Sequence, residues 1–161
     1  MTDFITTIRD FVEATEPIWQ WLAIIGISAI PFIESYFGAA IGVLAGVPVV
    51  IAILAAIVGN WISMFLLVLF GHKMHSLKKP SDKELSPRKE KFKNMFNKYG
   101  VAGVSLLGQT LLPSQITSMA MVSFGAPKWR VIFWQTISIA IWGTAFGLLA
   151  MAGSELILGR I

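Results

Sequence analysis

Ile30-Pro31-Phe32-Ile33-Glu34-Ser35-Tyr36-Phe37-Gly38 sets a helix-breaking proline three residues ahead of a carboxylate. Glu34 is the only formally charged residue between Pro17 and Gly71. The rest of that block is Ile, Leu, Ala, Val, Gly, Phe and Trp with a few neutral polar residues. A carboxylate inside a bilayer costs roughly 2.5–3.5 kcal/mol on insertion scales. Such a group is kept where it faces a cavity, binds something or carries a proton. The fold and the function both turn on where this carboxylate sits.

The surrounding composition agrees. Of 161 residues, 55% are hydrophobic and 14% charged, against about 25% charged in soluble domains. Uncharged stretches cover residues 18–32, 35–70, 100–127 and 131–154, and a membrane span needs about 20 apolar residues. The absence of cysteine excludes disulfides and thiolate chemistry. Met1-Thr2-Asp3-Phe4 lacks the basic start of a secretory signal, so the apolar segments are expected in the mature protein. Residues 72–99 hold nine of the thirteen Lys and Arg. Placed between apolar blocks, they read as a cytoplasmic loop touching anionic lipid, not as a nucleic-acid surface.

Residues 2–15 carry Phe4, Ile5, Ile8, Phe11 and Val12 at helical spacing, which predicts an amphipathic helix lying on the membrane or packed on a partner. The block 18–71, as one helix, would be about 81 Å long against a ~30 Å hydrocarbon core. Pro31 and Pro48 break it. The result is an interrupted piece over 18–46 and a spanning helix over 48–71. In the loop 72–99, Lys79-Pro80-Ser81-Asp82 predicts a turn, and Ser86-Pro87 opens a short basic helix. The plan then recurs: a piece over 100–127 interrupted at Pro113, and a spanning helix over 131–153.

Two topologies follow. Either all four segments cross, or each interrupted piece dips in and returns. Counts of Lys and Arg give eleven against two in both cases. Polarity favours the second. Gln109, Thr110, Ser114, Gln115, Thr117 and Ser118 crowd around Pro113, and such a stretch is tolerated at membrane depth only within protein or along a cavity. The expected fold is an all-α integral membrane protein. It is an inverted repeat of a re-entrant helical hairpin plus a transmembrane helix, with amphipathic surface helices, in one membrane domain over 1–161. Broken helices meeting near the midplane are a recurrent transport site.

Ile30-Pro31-Phe32-Ile33-Glu34, then Gly38, Gly42 and Gly46, then Gly59-Asn60-Trp61, make the chain similar to the small multidrug export family. Tyr99-Gly100, Gly108-Gln109 and Pro113 with the Ser-rich arm after it resemble the wider DedA (SNARE-associated or VTT) superfamily. The resemblance covers about residues 20–153. It implies two facing re-entrant hairpins, each followed by a span, in a bacterial plasma membrane. It also implies transport: proton-coupled export of amphiphilic or cationic small molecules, or translocation of a polyprenyl-phosphate lipid. The larger DedA proteins carry arginines around the second proline, which suits a phosphate. Here Gln109 and Gln115 stand nearest, and the acidic position is kept at Glu34.

The candidate site is therefore Glu34 as proton and substrate carrier, with Gln109, Thr110, Ser114, Gln115, Asn60 and Tyr36 as hydrogen-bonding partners and Pro31 and Pro113 as helix breaks. For each polar residue the competing reading is structural. Glu34 ties one hairpin to the other, the second cluster satisfies backbone freed by Pro113, Asn60 bridges helices, and the Gly38/Gly42/Gly46 stripe packs helices closely. His72 and His75 lack further metal ligands nearby, and no histidine stands in the apolar blocks to serve as a catalytic base. No enzyme activity, metal or cofactor is expected. The expected partners are the bilayer, protons, an amphiphilic solute or lipid, and a second copy of the chain, since four segments are few for a transporter. Lipid translocation and a non-transporting membrane scaffold are the alternative functions.

Overall fold

The computed structural model describes residues 2–77, 87–108 and 112–158. Seven helices and no strand occur among them. These are α1 (Thr2–Ala14), α2 (Gln20–Ser28), α3 (Glu34–Leu44), α4 (Val49–Leu77), α5 (Pro87–Gly108), α6 (Ser114–Ser123) and α7 (Lys128–Leu158). The Lys79–Asp82 turn, Gln109 and Thr110 lie outside the described residues.

Two helices are long and apolar enough to cross a membrane, over Val49–Lys73 and Lys128–Leu156. At 25 and 29 residues they reach about 37 and 43 Å, beyond a ~30 Å core. Both are longer than the sequence suggests. α4 passes Gly71 and runs through the first residues of the basic loop to Leu77, because no proline or glycine stops it there.

α4 has its large side chains on the outside. Val50, Leu54, Val58, Ile62 and Leu66 recur at spacing four and are exposed, Leu54 by 57% and Leu66 by 59%. The opposite face buries small or slender residues: Ala52, Ala56, Asn60, Met64 and Val68. Water would favour the reverse. Small residues inward and bulky aliphatics outward is the pattern of helices packed in lipid.

The chain divides into two compact units, Met1–Ser63 with Ile139–Ile161, and Met64–Ser138. In the first, α2 and α3 lie antiparallel. A methyl group built on Gly38 would press on the hydroxyl of Ser28, and one on Gly42 would sit 2.6 Å from Cδ1 of Ile24. As one index rises by four the other falls by four. The same test sets α3 antiparallel to α4, through Gly38 against Ala56 and Gly42 against Ala52. It sets α3 parallel to the end of α7, through Gly143 against Ser35 and Gly147 against Ala39. Gly38 and Gly42 thus serve close helix packing, whereas Gly46, the third of the stripe, has open space around it. α2 and α3 hold 9 and 11 residues, about 14 and 17 Å, so neither arm alone crosses a ~30 Å core.

α1 docks on this hairpin. Val12 is fully buried in the first unit's core with Ile24, Ile33 and Ala39, and Ile5 and Ile8 pack against it. Phe4 and Phe11 point outward. The helix therefore uses one apolar strip for the protein and leaves a second, aromatic one exposed.

The second unit holds α5 and α6. Gly100, at φ +65°, breaks α5, and the short helix before it stacks Phe92 on Phe124 at 5.8 Å. α6 packs on the helix after the break, where a methyl on Gly108 would meet Cγ2 of Thr117 at 3.2 Å.

One turn recurs in both units. α3 ends with Gly46 at φ +86°, and Val47 N–H donates back to Gly42 O at 3.0 Å. α6 ends with Gly125 at φ +91°, and Ala126 N–H donates to Met121 O at 3.0 Å. Each is a glycine cap in the left-handed region. Each is followed by a proline, Pro48 or Pro127, from which a long helix starts.

Candidate functional site

Pro31 lies in the turn between α2 and α3, whose main-chain bonds are short-range: Ile30 N–H to Ile27 O at 3.1 Å and Ile33 N–H to Ile30 O at 3.2 Å. Two non-glycine residues in and just after this turn have left-handed backbones, Phe32 at φ +76° and Glu34 at φ +54°. The left-handed helical region costs an L-residue roughly 1–2 kcal/mol. The turn accepts that cost and so begins α3 directly on Glu34.

Glu34 is completely buried. It occupies the first helical position of α3, where unpaired N–H groups and the helix dipole favour a negative charge. The next residue, Ser35, is also completely buried. Its hydroxyl donates to the carbonyl of Ile139 at 2.9 Å and accepts from Nδ2 of Asn60 at 3.5 Å. Tyr36 is half-buried, its ring 4.8 Å from Phe37 and 5.4 Å from Phe146. Glu34, Ser35, Tyr36 and Asn60 therefore belong to one polar focus in the first unit, with an aromatic wall from α3 and α7.

In the second unit, Pro113 is buried and caps α6 at φ −52°, ψ 141°. Ser114, Gln115, Thr117 and Ser118 behind it are all completely buried. Ser114 donates its hydroxyl proton to Oε1 of Gln115 at 3.3 Å, and Thr117 to Leu112 O at 3.4 Å. Ser118 donates to Ser114 O. The described part of the cluster after Pro113 is internal, and the hydroxyls of Thr117 and Ser118 bond to main-chain carbonyls.

Three buried residues of this unit escape the sequence reading: Ser105, Gln135 and Ser138. Ser138 donates to Ser105 O at 2.7 Å, so α5 and α7 meet there. Both polar side-chain atoms of Gln135, and the hydroxyl of Ser105, are buried with no hydrogen-bond partner among the described residues. In the first unit, the buried hydroxyl of Ser28 is in the same state. A glutamine in an apolar run was the available signal for Gln135.

His72 is exposed on α4, and no cluster of three or more potential metal ligands forms among the described residues. Comparison with protein-family models, curated proteins and solved structures finds no match to this chain. The likeness to the small multidrug export family thus rests on the short motifs.

Proposed function

We propose that this protein is an integral membrane transporter in which Glu34 carries a proton in exchange for an amphiphilic or cationic solute. The supporting observation is a carboxyl group with zero exposure, set at the start of a helix by a left-handed backbone and flanked by Ser35, itself hydrogen-bonded to Asn60. Burying an ionisable carboxyl group is costly, and an intramembrane ionisable residue is by default a functional group. Protonation lets Glu34 cross between states as a neutral group, and deprotonation readies it for a cation. The hydroxyl of Ser35 and the aromatic wall of Tyr36 and Phe146 fit a ligand that is part polar and part apolar.

The membrane setting is supported by the length of α4 and α7 and by the outward aliphatic face of α4. The finer architecture belongs to the same proposal: two re-entrant hairpins, α2–α3 and α5–α6, forming an inverted repeat whose halves end in the same glycine–proline turn.

Proteoliposomes carrying the purified protein test the reading. A pH gradient should drive uptake of ethidium, and Glu34→Gln should abolish it while leaving the protein folded. Uptake by Glu34→Gln equal to the parent's removes the proton role.

A further inference from the structure

The second unit holds a polar group that its own fold leaves unserved. Gln135 is completely buried, yet neither its Oε1 nor its Nε2 meets a hydrogen-bond partner among the described residues. The hydroxyl one turn along α7 spends its proton elsewhere: Ser138 donates to Ser105 O. Gln135 lies three residues before Ser138, on the same face of α7. That face meets α5 at Ser105, whose own hydroxyl is buried and unserved as well. An amide kept only for structure is normally satisfied, because a buried donor and acceptor left unmade are expensive. Two unserved groups on the facing helices α5 and α7 of one unit are better explained by a ligand that both reach.

The two side chains also define the ligand's character. Gln135 and Ser105 are both neutral, as is Ser138 beside them. A carboxamide offers one strong acceptor and two donors, and a serine hydroxyl offers one of each.

We propose that Gln135 and Ser105 form a solute-binding subsite for an uncharged group that both donates and accepts a hydrogen bond, such as the hydroxyl of a small organic cation. The cationic part of this assignment rests on the transport reading; the neutral subsite does not.

Ser105→Cys in the cysteine-free parent places a thiol at the site with Gln135 intact. In proteoliposomes without a pH gradient, a small methanethiosulfonate reagent should modify it, since a binding site must open to solutes. Choline should slow the modification at roughly five- to tenfold lower concentration than propyltrimethylammonium, in which a methyl replaces the hydroxyl. Adding Gln135→Leu should bring the two cations level. Ser138→Cys is a second reporter if Ser105→Cys does not fold. A folded reporter that stays unmodified overturns the subsite, and so does equal protection by the two cations, the result for a merely hydrated pocket. Because the labelling needs no transport, it is read independently of ethidium uptake: inert reporters beside active uptake sink the subsite alone, and the reverse result sinks proton coupling alone.

Discussion

The hydroxyl of Ser35 donates to the main-chain carbonyl of Ile139, 104 residues away, across 2.9 Å. The same oxygen accepts from Asn60. One buried side chain on α3 therefore reaches α7 and α4, and it sits next to Glu34. The start of α3, where Glu34 lies, is thus tied to α4 and α7 through Ser35.

Ser35→Ala should lower stability by about 1–3 kcal/mol, since it removes one hydrogen bond to a carbonyl and one acceptor for an amide in the interior. The measurement is unfolding in detergent followed by circular dichroism. An unchanged midpoint would mean that α3 is held at this end by packing alone.

Two glycines should respond in opposite directions to the same substitution. A methyl on Gly59 would collide with the main-chain oxygen of Ile25 and lie 2.8 Å from its carbonyl carbon. Main chain cannot swing aside, so Gly59→Ala must separate α4 from α2 and should cost about 1–3 kcal/mol or more. Gly26, inside α2, has open space where its methyl would go. Gly26→Ala should add about 0.5–1 kcal/mol through helix propensity. Equal effects in the two variants would refute the close α2–α4 approach.

Glu34 offers a test that separates backbone from side chain. Glu34→Ala and Glu34→Gly both remove the carboxyl, and both should lose gradient-driven uptake. Only glycine takes φ +54° without cost. Glu34→Gly should therefore be the more stable of the pair by about 1 kcal/mol, although glycine is the poorer helix former. If the alanine variant is the more stable, the left-handed turn is not a constraint on this position.

The breaks of this fold are legible in the sequence because they come from residues with few backbone options. Pro31, Pro48, Gly100, Pro113 and Pro127 each fall at or beside a helix end or kink. The long apolar helices are equally plain, since their length is set by uncharged runs. What is not legible is rotation about the helix axis. α4 and α7 are apolar nearly all round, so periodicity does not tell which face is inside. Asn60 stands out as the only amide in residues 48–71, whereas Gln135 reads as one polar residue near a helix start. Its complete burial depends on how α7 turns toward Ser105, and that is a tertiary fact. The extension of α4 to Leu77 is similarly hidden, because His72, Lys73 and Ser76 look like loop but do not interrupt a helix that is already formed.

Topology separates the hairpin architecture from four full crossings. The arms of the first hairpin, α2 and α3, are about 14 and 17 Å long, too short to cross singly but long enough together to enter and return. In that case the N-terminal helix and the start of α7 lie on opposite sides of the membrane. The parent has no cysteine, so Asp3→Cys and Lys128→Cys each give a single reactive thiol. A membrane-impermeant maleimide added to intact cells should label position 3 and leave position 128 protected until the cells are opened. Labelling at 128 with protection at 3 would mean that both interrupted segments cross from face to face. The midplane carboxyl at a hairpin turn, and the transport mechanism built on it, would then have to be abandoned.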